Sequence, residues 1–171
     1  MKVILLIFAV MLQQLNQTSE KEIVSFRKLF EESAVSSSSA NNFYQQTRKI
    51  NEQSPSILIG FKAMSELMMC NHVFSPLSKL SYFNSGKKLL EFAIQKDLRN
   101  IELRFFRFST QSNVPALLNY SSNINEDKMI LMNYLKISSS TTDKDLYQRI
   151  KSYMLKSTYC SASEKQQLTT T

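Results

Sequence analysis

At 171 residues, 43% of them hydrophobic and 11% aromatic, the chain can bury a sizeable core and is not an intrinsically disordered protein. Only two glycines and three prolines occur, which excludes turn-rich sandwiches and barrels and points to helices joined by polar loops. The net charge of +7 comes from scattered lysines and arginines with no basic run, so it reads as solvation and not as a nucleic-acid face.

In chain order, Lys2 precedes ten apolar residues, Val3 to Leu12, and a polar stretch from Gln13. One positive charge, a short apolar run and a polar exit form a secretory signal pattern over residues 1–18. Ten residues are too few to cross a bilayer as a helix, so no stable transmembrane span is expected. The expected location is periplasmic or secreted. The remaining chain reads as one helical domain over 19–157 and a polar C-terminal tail over 158–171.

Ser19-x-x-Glu22 is a capping box that opens a first helix carrying Ile23, Phe26, Leu29 and Phe30. A second helix is expected from Ala40 to Glu52, with the serines of 36–39 as its caps. Ser54-Pro55 predicts the start of a third, strongly apolar helix with Ile57, Leu58, Phe61, Met64, Leu67 and Met68, the central helix of the core. Its Cys70 and the tail's Cys160 are expected as free thiols.

Ser75-Pro76 starts a fourth helix to about Lys96. Leu80, Phe83, Gly86, Leu90, Ala93 and Ile94 form its apolar arc, and Gly86 within that arc predicts close approach of a neighbouring helix. A fifth helix spans Arg99 to Thr110, and Val114-Pro115 begins a short turn through Leu118. Asn125 is expected to cap a sixth helix, and Thr142-x-x-Asp145 a seventh.

The cluster with the chemistry of a site lies on the fifth helix. Arg104, Arg107 and Gln111 share one face by helical spacing, flanked by Ile101, Phe105 and Phe108 on one side and Leu103 on the other. Guanidinium groups between apolar surfaces require anionic partners. Structurally, that partner is Glu102, Glu126 or Asp127; functionally, it is the carboxylate or phosphate of a bound partner, held bidentately. Tyr82, Asn119 and Tyr120 are further candidates to line such a groove.

The segment Ala93 to Leu103, AIQKDLRNIEL, resembles the junction between two tetratricopeptide repeats, with Leu98 where the repeat has proline. No second copy occurs at the 34-residue period of those repeats. Pro76-Leu77-Ser78-Lys79-Leu80, Gly86-Lys87, Ala93-Ile94, Glu102-x-Arg104-x-x-Arg107-x-x-x-Gln111, Pro115 and Glu126-Asp127 also resemble an uncharacterised family of small exported helical proteins of Bacteroidota. These resemblances imply an all-α array of antiparallel helical hairpins, TPR-like or α-solenoid-like, and bring no activity with them.

Catalytic parts are scarce. Two glycines cannot build a phosphate-cradling loop, and His72 is the sole histidine, so a His-rich metal site and a Ser-His-Asp triad both lack members. Ser25-x-x-Lys28 and Ser85-x-x-Lys88 match a nucleophile spacing without the companion motifs of that enzyme class. The expectation is a non-enzymatic, cofactor-free binding or adaptor module of the bacterial envelope, taking a protein or peptide partner through Arg104, Arg107 and Gln111. The alternative is a small-molecule or lipid carrier with a cavity lined by Met and Phe.

Overall fold

A computed structural model describes residues 20–137 and 143–170. The signal pattern of 1–18 and the Thr142 cap lie outside the described residues. Among the described residues the fold is all-α: α1 (Glu20–Ser33), α2 (Ser37–Thr47), α3 (Ser56–His72), α4 (Pro76–Lys96), α5 (Ile101–Asn113), a 3-10 turn (Ala116–Leu118), α6 (Ile124–Ile137), α7 (Lys144–Lys156) and α8 (Ala162–Thr170). None of the helices among the described residues is long and apolar enough to cross a membrane. The chain divides into two compact units between Ala93 and Ile94.

In the first unit, α3 is the centre, as its apolar run predicts, but the buried face is rotated. Ile59 and Ala63 are buried with Ile57, Phe61, Met64 and Leu67, while Leu58 and Met68 are only half-buried. The aromatic core joins α1, α2 and α3: Phe26 lies 5.4 Å from Phe61 and 6.1 Å from Phe43, ring centre to ring centre. Each such ring, fully buried, contributes about 1.5–3 kcal/mol. A buried hydroxyl pair, Thr47 Oγ1 to Ser65 Oγ at 2.7 Å, ties α2 to α3.

The helix boundaries follow the caps. Ser36 accepts from the Ser39 amide as the cap of α2, which starts at Ser37, three residues before the expected Ala40. The helix also stops at Thr47 rather than Glu52, where Asn51 folds a polar turn by accepting from the Gln53 amide. Pro55, extended at φ −51° and ψ 142°, takes the cap position of α3 expected for Ser54, whose hydroxyl instead accepts from the Asn51 amide. At α4, Ser75 caps and Pro76 is the first helical residue, as predicted. A Cβ on Gly86 would sit 2.7 Å from Leu67 Cγ and 2.9 Å from the Ala63 carbonyl, so α4 does approach α3 closely at this glycine.

In the second unit, α5 begins at Ile101 behind the Asn100 cap and runs three residues past the expected Thr110. Every residue from Glu102 to Gln111 is buried, so α5 is the central helix of this unit. Tyr153 of α7 meets Phe105 and Phe108 edge-on at 5.5 and 5.9 Å. Leu131, Leu135, Ile150 and Met154 complete the core. Helix α6 starts at Ile124, which places Asn125 inside the first turn rather than at the cap.

The polar tail expected over 158–171 contains a helix, α8. Ser161 and Glu164 form a reciprocal capping box: Glu164 Oε2 accepts from the Ser161 amide at 2.7 Å and Ser161 Oγ accepts from the Glu164 amide at 3.2 Å. Leu168 is 1% exposed, and Lys128 of α6 holds Glu164 at 3.1 Å. Burial of one leucine and one ion pair fixes a segment whose composition is otherwise polar.

Candidate functional site

Arg104 and Arg107 stand one turn apart on α5 and converge on the first turn of α6, where Glu126 and Asp127 are adjacent acids. Asp127 is fully buried and binds both arginines. Arg107 donates bidentately to it, Nε to Oδ2 at 2.6 Å and Nη2 to Oδ1 at 2.9 Å. Arg104 Nη1 is shared between Asp127 Oδ1 at 3.1 Å and Glu126 Oε1 at 2.9 Å. The remaining edge of Arg104, Nε and Nη2, donates to the Leu98 carbonyl at 3.2 and 3.1 Å.

Gln111 closes the other end of the network. Its Oε1 accepts from the Asn123 amide at 3.1 Å, its Nε2 donates to Asn123 Oδ1 at 3.4 Å, and Asn123 Nδ2 donates to Glu126 Oε2 at 3.1 Å. This Asn123 bond, ahead of the two guanidinium charges, holds the Glu126 carboxyl below its ordinary range. The structure thus brings all three predicted residues together, with Glu126 and Asp127 as the acids on Arg104 and Arg107. Leu98 and Asn123 are members that sequence reasoning missed, because a backbone carbonyl and a loop amide carry no periodic signal.

Chemically, the cluster is a charge-balanced clamp. The Arg104 and Arg107 side chains are 8% and 5% exposed, and an incoming carboxylate would have to displace Asp127 to meet the same donors. Of the other candidates, Tyr120 is buried, and Asn119 is exposed with left-handed backbone at φ 44°, where it ends the 3-10 turn. Tyr82 belongs to the first unit and lies edge-on to Tyr44 at 5.7 Å. His72 is a cap: its Nε2 donates to the Ser33 carbonyl of α1 at 2.6 Å. Both cysteines are free thiols; Cys160 is the buried one, while burial pushes the half-buried Cys70 up to about 11.

A second region was not legible from the spacing. The His72–Ser33 bond holds the α1–α2 turn and the α3–α4 turn at the same end of the first unit. Val35 lies in the first turn, Phe74 in the second and Leu77 in the opening turn of α4, exposed by 89%, 99% and 79%. An apolar side chain exposed singly is ordinary, but three around two turns tied by a hydrogen bond give that end of the unit an apolar tip.

Comparison with protein-family models, curated proteins and solved structures gives no match. The functional reading therefore rests on the geometry of the chain itself.

Proposed function

We propose that this chain is an exported, non-catalytic binding or adaptor module of the bacterial envelope that engages a protein or peptide partner. The observation that supports it best is the apolar tip of Val35, Phe74 and Leu77, around two turns that a histidine cap ties together. Aromatic side chains such as the exposed Phe74 are enriched in the cores of protein interfaces, where they supply apolar contact area. The charge and apolar pattern of residues 1–12 supports export, and the repeat-like segment around Ala93–Leu103 supports a hairpin array.

This reading moves the contact surface from the arginine face to the tip and gives the arginines the role of fixing the α5–α6 hairpin. The aromatic side chains a carrier would place around a ligand, Phe43 and Phe61, are instead packed in the core. Two clefts among the described residues do not have a Met/Phe lining either. The larger, about 600 Å³, sets Glu22, Ser25, Gln45, Gln46, Arg48 and Lys49 around one phenylalanine. The smaller, about 290 Å³, mixes Met129 and Met132 with Asn133, Lys136, Glu164 and Gln167.

The test is site-specific photocrosslinking in cells, with the reactive side chain at Phe74 or Leu77 and, as control, at Lys88 on the exposed face of α4. One defined protein adduct at both tip positions, absent at Lys88 and lost in folded F74S/L77S, supports the proposal. Equal labelling at all three positions, or none at the tip, overturns it.

A further inference from the structure

The first unit contains a buried ionisable group that the binding role does not use. Glu66 of α3 is 8% exposed and lies one turn from Ala63, whose carbonyl and whose neighbour Leu67 form the close crossing with Gly86 of α4. The Ser85 hydroxyl, next to Gly86, hydrogen-bonds the Glu66 carboxyl. Burial beside this crossing strips solvation from the carboxyl, so its charged form is disfavoured there.

The surrounding charges do not replace that solvation. Lys62, one turn earlier on α3, is the cation that acts on Glu66, yet its Nζ is held on the Ile50 and Arg48 carbonyls at 2.5 and 3.3 Å. From α2 the group acting with Glu66 is the Tyr44 phenol, which Arg48 and Tyr82 of α4 also act on, and on α3 itself it is the Cys70 thiol, which Lys79 of α4 also acts on. From α1 the contact on α3 is Phe26 against Phe61. Tyr44 and Cys70 both sit above their ordinary values, chiefly through burial, so they stay neutral while a carboxyl titrates.

We propose that Glu66 makes the α3–α4 crossing a pH-sensitive joint, which tightens when the carboxyl takes up a proton and loosens when it ionises. The neutral carboxyl keeps its hydrogen bond to Ser85 and needs no counter-charge in the crossing. The ionised one is driven toward water, and leaving the wall separates α3 from α4 beside Gly86. This device depends on the unit's packing alone and is independent of the binding proposal.

Carbon-detected NMR titration of the Glu66 carboxyl in the full chain tests it, together with amide-exchange protection of Ala63–Leu67 and Phe83–Gly86. The midpoint for Glu66 is expected above the ordinary glutamate value of 4.5. Ser85 favours the charged form, so S85A is expected to move the midpoint further up. Protection at the crossing is expected to fall as pH rises through that midpoint in the wild type and to stay level in E66Q. A midpoint at or below 4.5, or the same pH dependence of protection in E66Q, overturns the joint.

Discussion

Asp127 has no solvent-exposed side-chain surface and holds two guanidinium groups, whereas Glu126 beside it is 52% exposed and holds the same two from the rim. Position in the dielectric decides which acid matters. Removing a buried partner strands buried charge and costs about 3–5 kcal/mol, while a half-exposed pair is worth about 0–1 kcal/mol. D127A is therefore expected to lower unfolding free energy by about 3–5 kcal/mol in urea titrations, and E126A by about 1 kcal/mol or less. An apolar triple replacement, R104M/R107L/D127L, is expected to recover most of the D127A loss, because it removes the stranded charges as well as the pair. Equal losses for D127A and E126A would show that the burial argument is wrong. The arginine spacing made this clamp legible in the sequence as a need for acids. The choice among Glu102, Glu126 and Asp127 depends on how α6 crosses α5, which spacing does not encode.

Among the elements, α8 shows why a helix is missed. Ser161-x-x-Glu164 carries the same capping signature that announces α1, but the nine residues from Ala162 to Thr170 bury one side chain, Leu168, so no apolar period follows the cap. An isolated helix of this length is marginal in water, and docking must hold it. L168A is expected to cost at least about 2 kcal/mol of that docking, which is about a thirtyfold loss of amide-exchange protection across Ala162–Thr170. Protection at Arg104–Phe108 in the core of the unit is expected to change far less, and a uniform loss across the unit would mean that α8 is part of its cooperative core. The opposite error occurs at α2, where polar caps set the boundaries more strongly than the apolar residues do. Gly86 was readable because a glycine within an apolar arc has one economical explanation, close helix contact, and the 2.7 Å that would separate an added Cβ from Leu67 Cγ bears it out.

At the scale of the whole molecule, three glutamates among the described residues have displaced titration and so contribute to its pH dependence. Burial holds Glu66 above the ordinary value of 4.5 in the first unit. In the second unit, Glu126 is held below it chiefly by Asn123, and Glu164 chiefly by the Ser161 amide. A raised folded value contributes stability that is complete below 4.5 and lost as pH rises through that raised value; lowered values contribute stability present above 4.5 and lost as pH falls through them. Unfolding free energy from these groups is thus expected to rise on acidification from neutral toward about 4.5 and to fall below it. Glu126 and Glu164 are partly exposed, so solvent makes the acid-side fall shallow. Urea titrations at a series of pH values separate the contributions. E66Q is expected to remove the rise between neutral pH and 4.5 while keeping the fall below it, and E126Q to reduce the fall while keeping the rise. If E66Q leaves the near-neutral limb unchanged, the buried carboxyl does not govern that limb. If E126Q leaves the acid limb unchanged, the Asn123 bond and the arginine clamp do not hold its charge. Glu66 lies in one compact unit and Glu126 and Glu164 in the other, so the neutral side of the curve reads the crossing at Gly86 while the acid side reads the α5–α6 hairpin together with the cap of α8.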